Sequence, residues 1–150
     1  MNFVDLISDN LSRLHIDLDQ AVSSLDHDQL HWVPKDNCNH IAFNLWHYVR
    51  TEDNLVRFVL QDRRPTVWLQ EGWNEIFKLD RISQGTGMDI EEANDLTINS
   101  LQEFLKYMSA VWSSSKDYLA NLDTGDLGKK FIVRPMGERS ASQVLTENLL

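Results

Sequence analysis

The sequence predicts an all-α protein: an antiparallel four-helix bundle with a long crossover connection between its second and third helices. All six glycines and three prolines fall outside the windows 1–33, 36–64 and 88–124, so three long stretches lack the residues that most damage helix interiors. In the first and third windows apolar residues recur at alternating spacings of three and four, the signature of one buried helical face. Ser100 with Glu103 and Ser140 with Gln143 have the spacing of capping boxes and mark two helix starts.

The first helix carries the seam Val4, Ile7, Leu11, Leu14, Leu18, Ala21 and Leu25, with Asp5, Asp9, Asp19 and Asp26 elsewhere on the wheel. Asn37 or Asn39 can cap the second, which runs from about His40 to Leu60. The connection Gln61–Gly87 holds Arg63, Arg64, Pro65, Trp68, Trp73 and Phe77, too aromatic for a disordered linker, and is expected to pack over the bundle. A short capped piece around Asp89–Leu96 precedes the third helix. That helix shows the seam Leu101, Leu105, Met108, Trp112, Ser115, Leu119 and Leu122 and stops at Asp123-Thr124-Gly125. The fourth starts after Pro135 and Gly137 and continues through Val144, Leu145 and Leu149. Without a glycine or a basic last turn, it reads as a helix cut short at Leu150.

Length and composition restrict function. The 150 residues, 42% apolar and 25% charged, fit a single domain over 1–150. A net charge of −9 repels phosphate backbones, so nucleic acid is not an expected partner. The field is strongest near the start, where Asp5, Asp9, Asp17, Asp19, Asp26 and Asp28 face Arg13 alone. Cys38 is the only cysteine, which excludes an intrachain disulfide and a Cys-rich zinc site and points to a reducing compartment. No apolar run approaches a membrane span and no signal sequence opens the chain, so a cytoplasmic protein without membrane contact is expected.

The second helix holds the candidate chemistry. Ile41, Leu45, Tyr48, Leu55 and Val59 form its apolar centre, and Glu52 projects into that stripe, where a carboxylate must neutralise or find a donor: Arg13, His15 or a Trp indole. Glu52 then reads either as a buried anchor between helices or as a general base. His40, Asn44, His47, Thr51 and Asn54 fall on the opposite side, with Phe43 and Phe58 among them. His40 and His47, two turns and about 10.5 Å apart along the axis, cannot chelate one ion. Spacing alone does not choose His47. Cys38, Gly85-Thr86-Gly87, the basic group Lys129, Lys130 and Arg134, and Ser113-Ser114-Ser115 read as an ordinary thiol, a turn, surface charge and no nucleophile elbow.

The run Leu45-Trp46-His47-Tyr48-Val49-Arg50-Thr51-Glu52-Asp53, then Trp68 and Glu71-Gly72-Trp73-Asn74, resembles the second-helix pattern and following segment of the DinB-like superfamily. Leu105-Lys106-Tyr107-Met108-Ser109-Ala110-Val111-Trp112 with Tyr118-Leu119 resembles its third helix, and Gly137-Glu138-Arg139-Ser140 with Gln143-Val144-Leu145 the start of its fourth. The likeness spans nearly the whole chain at the level of pattern.

That resemblance implies a four-helix bundle, commonly a homodimer, in which one histidine of the second helix and two of the fourth hold a divalent metal. His47 matches the first ligand. Zinc or nickel is the implied cofactor, a thiol cosubstrate and a small-molecule electrophile the implied partners, and metal-dependent thiol transfer or isomerisation the implied activity. The fourth-helix pair has no counterpart before Leu150: Glu147 and Asn148 match neither histidine, and His15, His27 and His31 lie outside the motif. The competing expectation is a non-catalytic module of the same fold that binds a small molecule or a partner helix beside the second helix. A role in regulating the damage response would rest on the family name alone.

Overall fold

A computed structural model describes residues 1–150. Four helices form the bundle: α1 (Phe3–Val22), α3 (Ile41–Asp53, continued in wider π geometry over Asn54–Val59), α7 (Leu101–Ala120) and α8 (Ala141–Gln143, continued likewise over Val144–Asn148). Between them lie α2 (His27–Leu30), α4 (Val67–Gln70), α5 (Trp73–Phe77) and α6 (Ile90–Asp95). The last three form the long crossover between the second and third bundle helices. The chain is therefore a mostly helical four-helix bundle.

The first window divides where one continuous helix was expected. α1 stops at Val22, and Asp26 and Gln29 build a reciprocal capping box that starts α2. The seam also drifts. Val4, Ile7, Leu11, His15 and Val22 are buried, whereas Ala21 is exposed and Leu14 half-buried. Val4 and Val22 are five full turns apart at 3.6 residues per turn, whereas the alternating three-four pattern has a period of 3.5 and moves off the face. α7 shows a similar offset, with Phe104, Tyr107, Val111 and Ser114 buried beside Met108, Ser115 and Leu119.

The cap of α3 is His40, not Asn37 or Asn39: its Nδ1 accepts the Phe43 N–H at 2.9 Å. The side of α3 opposite Glu52 is not a solvent face, because the crossover covers Phe43, Trp46 and Arg50 while the bundle covers Leu45, Glu52 and Leu55. Ile41, placed at the centre of the apolar stripe by the sequence, is 41% exposed. The small departure from the all-α expectation is the antiparallel hairpin β1 (Lys130–Val133) and β2 (Gly137–Ser140), paired from Lys130↔Ser140 to Val133↔Gly137. It occupies the segment read as a basic loop, and it delivers the Ser140–Gln143 capping box to α8.

The core has two parts. Val22, Phe43, Trp46, Val49, Trp68, Phe77, Phe104 and Val111 belong to the first, nearer the crossover. Val4, Ile7, Leu11, Leu55, Leu119 and Val144 belong to the second, nearer the hairpin. A polar layer separates them. On α1 His15 lies between Leu11 and Val22, on α3 Glu52 between Val49 and Leu55, and on α7 Ser115 between Val111 and Leu119, so all three helices change cluster at one level.

Candidate functional site

The polar layer gathers around one carboxyl group, that of Glu52. His15 Nε2 lies 3.0 Å from both Glu52 oxygens, Ser115 Oγ donates to Glu52 Oε1 at 2.6 Å, and Trp112 stacks on the His15 ring at 4.3 Å. Glu52 and His15 are 1% and 2% exposed, so neither can meet a substrate. Glu52 is the anchor between helices. Of the donors weighed for it, His15 serves; Arg13 is exposed. Burial, then the nearby Glu52 carboxyl, push the Tyr48 phenol up.

The next residue of α3, Asp53, ties the crossover down. Its Oδ1 accepts the Val67 N–H and its Oδ2 the Trp68 N–H, each at 2.9 Å, and Tyr107 Oη donates to Oδ2 at 3.0 Å. A carboxylate on the first two free N–H groups of α4 meets their hydrogen-bonding need and the helix dipole together. Burial raises the Asp53 pKa; the two N–H donors, Tyr107 and Arg50 pull it down. The Tyr107 phenol is pushed up by burial first and by Asp53 second.

His47 lies on a different side of α3, five positions and roughly 140° around the helix from Glu52. The ring is half-buried and stacks on Phe43 with centroids 5.7 Å apart and planes 10° apart. Its Nδ1 is bonded to the carbonyl oxygen of Gln84 in the crossover. A carbonyl only accepts, so Nδ1 carries the proton and the Nε2 lone pair is free. Nε2 makes no hydrogen bond within the chain and is not sealed from solvent. One turn on, Arg50 Nη2 donates to the Ile82 and Ser83 carbonyls, each at 3.2 Å, and its guanidinium lies 4.9 Å over the Trp68 ring.

The metal implied by the resemblance can be tested against these residues. His47 suits one ligand position, since a metal-bound imidazole almost always donates its second N–H to a carboxylate or a backbone carbonyl. No three His, Cys, Asp or Glu side chains of the chain converge on a point that could hold an ion, so these residues do not complete a ligand set. His40 is spent on the α3 cap and on the Asn94 carbonyl; His15 on Glu52. His27 and His31 pair with each other at 4.2 Å beside α2.

Sequence reasoning assigned no role to Arg50, Asp53 or Gln84, placed Ser115 only in the seam of α7, and read Gly85 only as part of a turn. The first two stand in the quoted motif, and a buried arginine and aspartate one turn apart were the signal available there. Gln84 acts through its backbone, which leaves no trace in residue type.

Together these features define a helical bundle protein that presents one tautomer-fixed imidazole beside a crossover loop. The chain belongs to the DinB superfamily, whose family profile matches residues 10–149. Among solved structures it is similar to a conserved protein from Enterococcus faecalis, with a TM-score of 0.82 at 20% identity, over 99% of this chain and 88% of that one. At that identity the likeness speaks for the fold. No curated protein matches the chain.

Proposed function

We propose that the protein is a metal-dependent thiol transferase or isomerase of the DinB kind, to which His47 contributes one zinc or nickel ligand through Nε2. The observation that carries this reading is the bond from His47 Nδ1–H to the Gln84 carbonyl, which fixes the tautomer a ligand needs and leaves Nε2 open. Superfamily membership supports it. A bound divalent ion would acidify a coordinated thiol and so supply a thiolate for attack on a small-molecule electrophile. The part played by this chain is to hold the imidazole in one orientation and one protonation pattern. A cytoplasmic homodimer is the form proposed.

A second reading is favoured by the lack of any convergent trio of ligating side chains: a helical module that binds a small molecule or partner helix without chemistry. Elemental analysis of the purified protein separates the two. The proposal expects bound zinc or nickel that is lost in His47→Ala. No retained metal, with a melting temperature indifferent to chelator, would overturn it in favour of the binding module.

A further inference from the structure

We infer that the crossover segment 80–87 is a strap that positions the His47 ring, and that Arg50 is the positioning residue that holds the strap in place. The inference rests on the reading of His47 above and deepens it. Three consecutive carbonyls, of Ile82, Ser83 and Gln84, all accept from one face of α3: the first two from Arg50 and the third from His47. Positions 47 and 50 are i and i+3, neighbours on the helix surface, so one helical turn reads out one stretch of backbone.

The strap is fastened at both ends. At its start Trp68 Nε1 donates to the Asp80 carbonyl at 3.0 Å, and the Asp80 carboxylate accepts the Ile82 and Ser83 N–H groups at 2.8 and 2.5 Å. Those two N–H groups hold the Asp80 pKa below the usual carboxylate value. At the other end Gly85 has φ +92°, and a Cβ built there would stand 3.0 Å from His47 Nδ1 and from the Trp46 ring and 3.1 Å from the Phe43 ring. Glycine is therefore favoured twice, by backbone conformation and by contacts so close that a Cβ fits only if the neighbouring rings give by a few tenths of an ångström.

Arg50 is 2% exposed, and its Nε and Nη1 lack hydrogen-bond partners, with the nearest carboxylate oxygen, on Asp53, 3.9 Å from Nη1. A guanidinium taken out of water with only part of its donors bonded is a poor device for stability alone. Its completed bonds all go to the strap. Releasing them frees the Gln84 carbonyl to move, and with it the only group that fixes which His47 nitrogen carries the proton.

The test reads the ring itself. Nitrogen-15 correlation spectra of the histidine side chains report the tautomer of His47, and hydrogen exchange reports opening of residues 81–87. In the unaltered protein the Nδ1–H form is expected. Arg50→Lys keeps the charge but loses the planar fork; it is expected to give mixed His47 tautomers and about 10- to 100-fold faster strap exchange, the equivalent of one of the two charge-assisted hydrogen bonds. Gly85→Ala, which pushes the strap off the ring, is expected to mix the tautomers as well. Glu52→Gln, which weakens the bundle on a different side of α3 and touches no strap residue, should leave the His47 spectrum unchanged. A folded Arg50→Lys protein whose His47 remains Nδ1–H overturns the inference. Should Arg50→Lys fail to fold, Gly85→Ala decides: an unchanged His47 tautomer there overturns it, and a mixed one supports it. None of these readouts involves metal, so failure of the strap leaves the metal-content test of His47 standing, and the reverse.

Discussion

Deleting the carboxyl group at the waist of the bundle separates a structural anchor from a catalytic base. Glu52→Ala leaves Ser115 Oγ, bonded to Glu52 at 2.6 Å, and His15 Nε2, 3.0 Å from both carboxylate oxygens, without partners in a buried layer. Each orphaned polar group costs about 1–3 kcal/mol, and breaking a buried pair in proteins costs about 3–5 kcal/mol, so a loss of about 3–5 kcal/mol is expected. That is a large fraction of the roughly 5–15 kcal/mol that holds a domain of this kind together. Glu52→Gln keeps the shape and an acceptor for Ser115, and about 1 kcal/mol is expected for it. Urea unfolding followed by circular dichroism measures both, with an unchanged m-value expected if only the native state is weakened. A Glu52→Ala protein within about 1 kcal/mol of the parent would show the layer to be wet or loosely packed and would refute the anchor.

Three further outcomes follow from the same contacts. Asp53→Ala removes the acceptor for the α4 N–H groups and for Tyr107, and about 2–4 kcal/mol of stability should go with it, read by urea unfolding and by faster exchange of the Val67 and Trp68 amides. Ser140→Ala abolishes the capping box of α8, and a loss of about 1 kcal/mol is expected from thermal melting. His31 donates from Nδ1 to the His27 carbonyl and accepts the Ile98 N–H at Nε2; burial lowers its pKa below 6.5, the His27 and His40 rings add to this, and the His27 carbonyl bond and Asp28 oppose it. Between the folded value and 6.5 the unfolded chain binds more protons, so this contribution is full above pH 6.5 and falls as the pH drops below it; His31→Gln should flatten that part of the stability profile.

The helical signals were legible where they are local. Ser100, Ser140 and Asp89 cap the helices they were expected to cap, because a side chain three residues from an N–H needs no tertiary context. The length of the first helix was not, since the Asp26–Gln29 box that divides it lies inside a window free of glycine and proline. The hairpin escaped because its strands are four residues each and alternate only weakly, with Val133 and Ser140 as their buried positions. On α3 the apolar stripe looked one-sided because periodicity does not reveal a second covering layer; the crossover supplies one, so Phe43, Trp46 and Arg50 are buried as well. Glu52 was legible as a buried carboxyl in need of a donor. The bond that distinguishes His47 from any half-buried histidine comes from a main-chain carbonyl 37 residues away, and no side-chain pattern encodes it.

The most direct measurement on the whole account is histidine nitrogen-15 NMR of the protein as zinc is added. The expected result is a coordination shift at His47 Nε2 while Nδ1 keeps its proton. An Nε2 signal untouched at saturating zinc, or binding through Nδ1 with loss of the Gln84 bond, would contradict it.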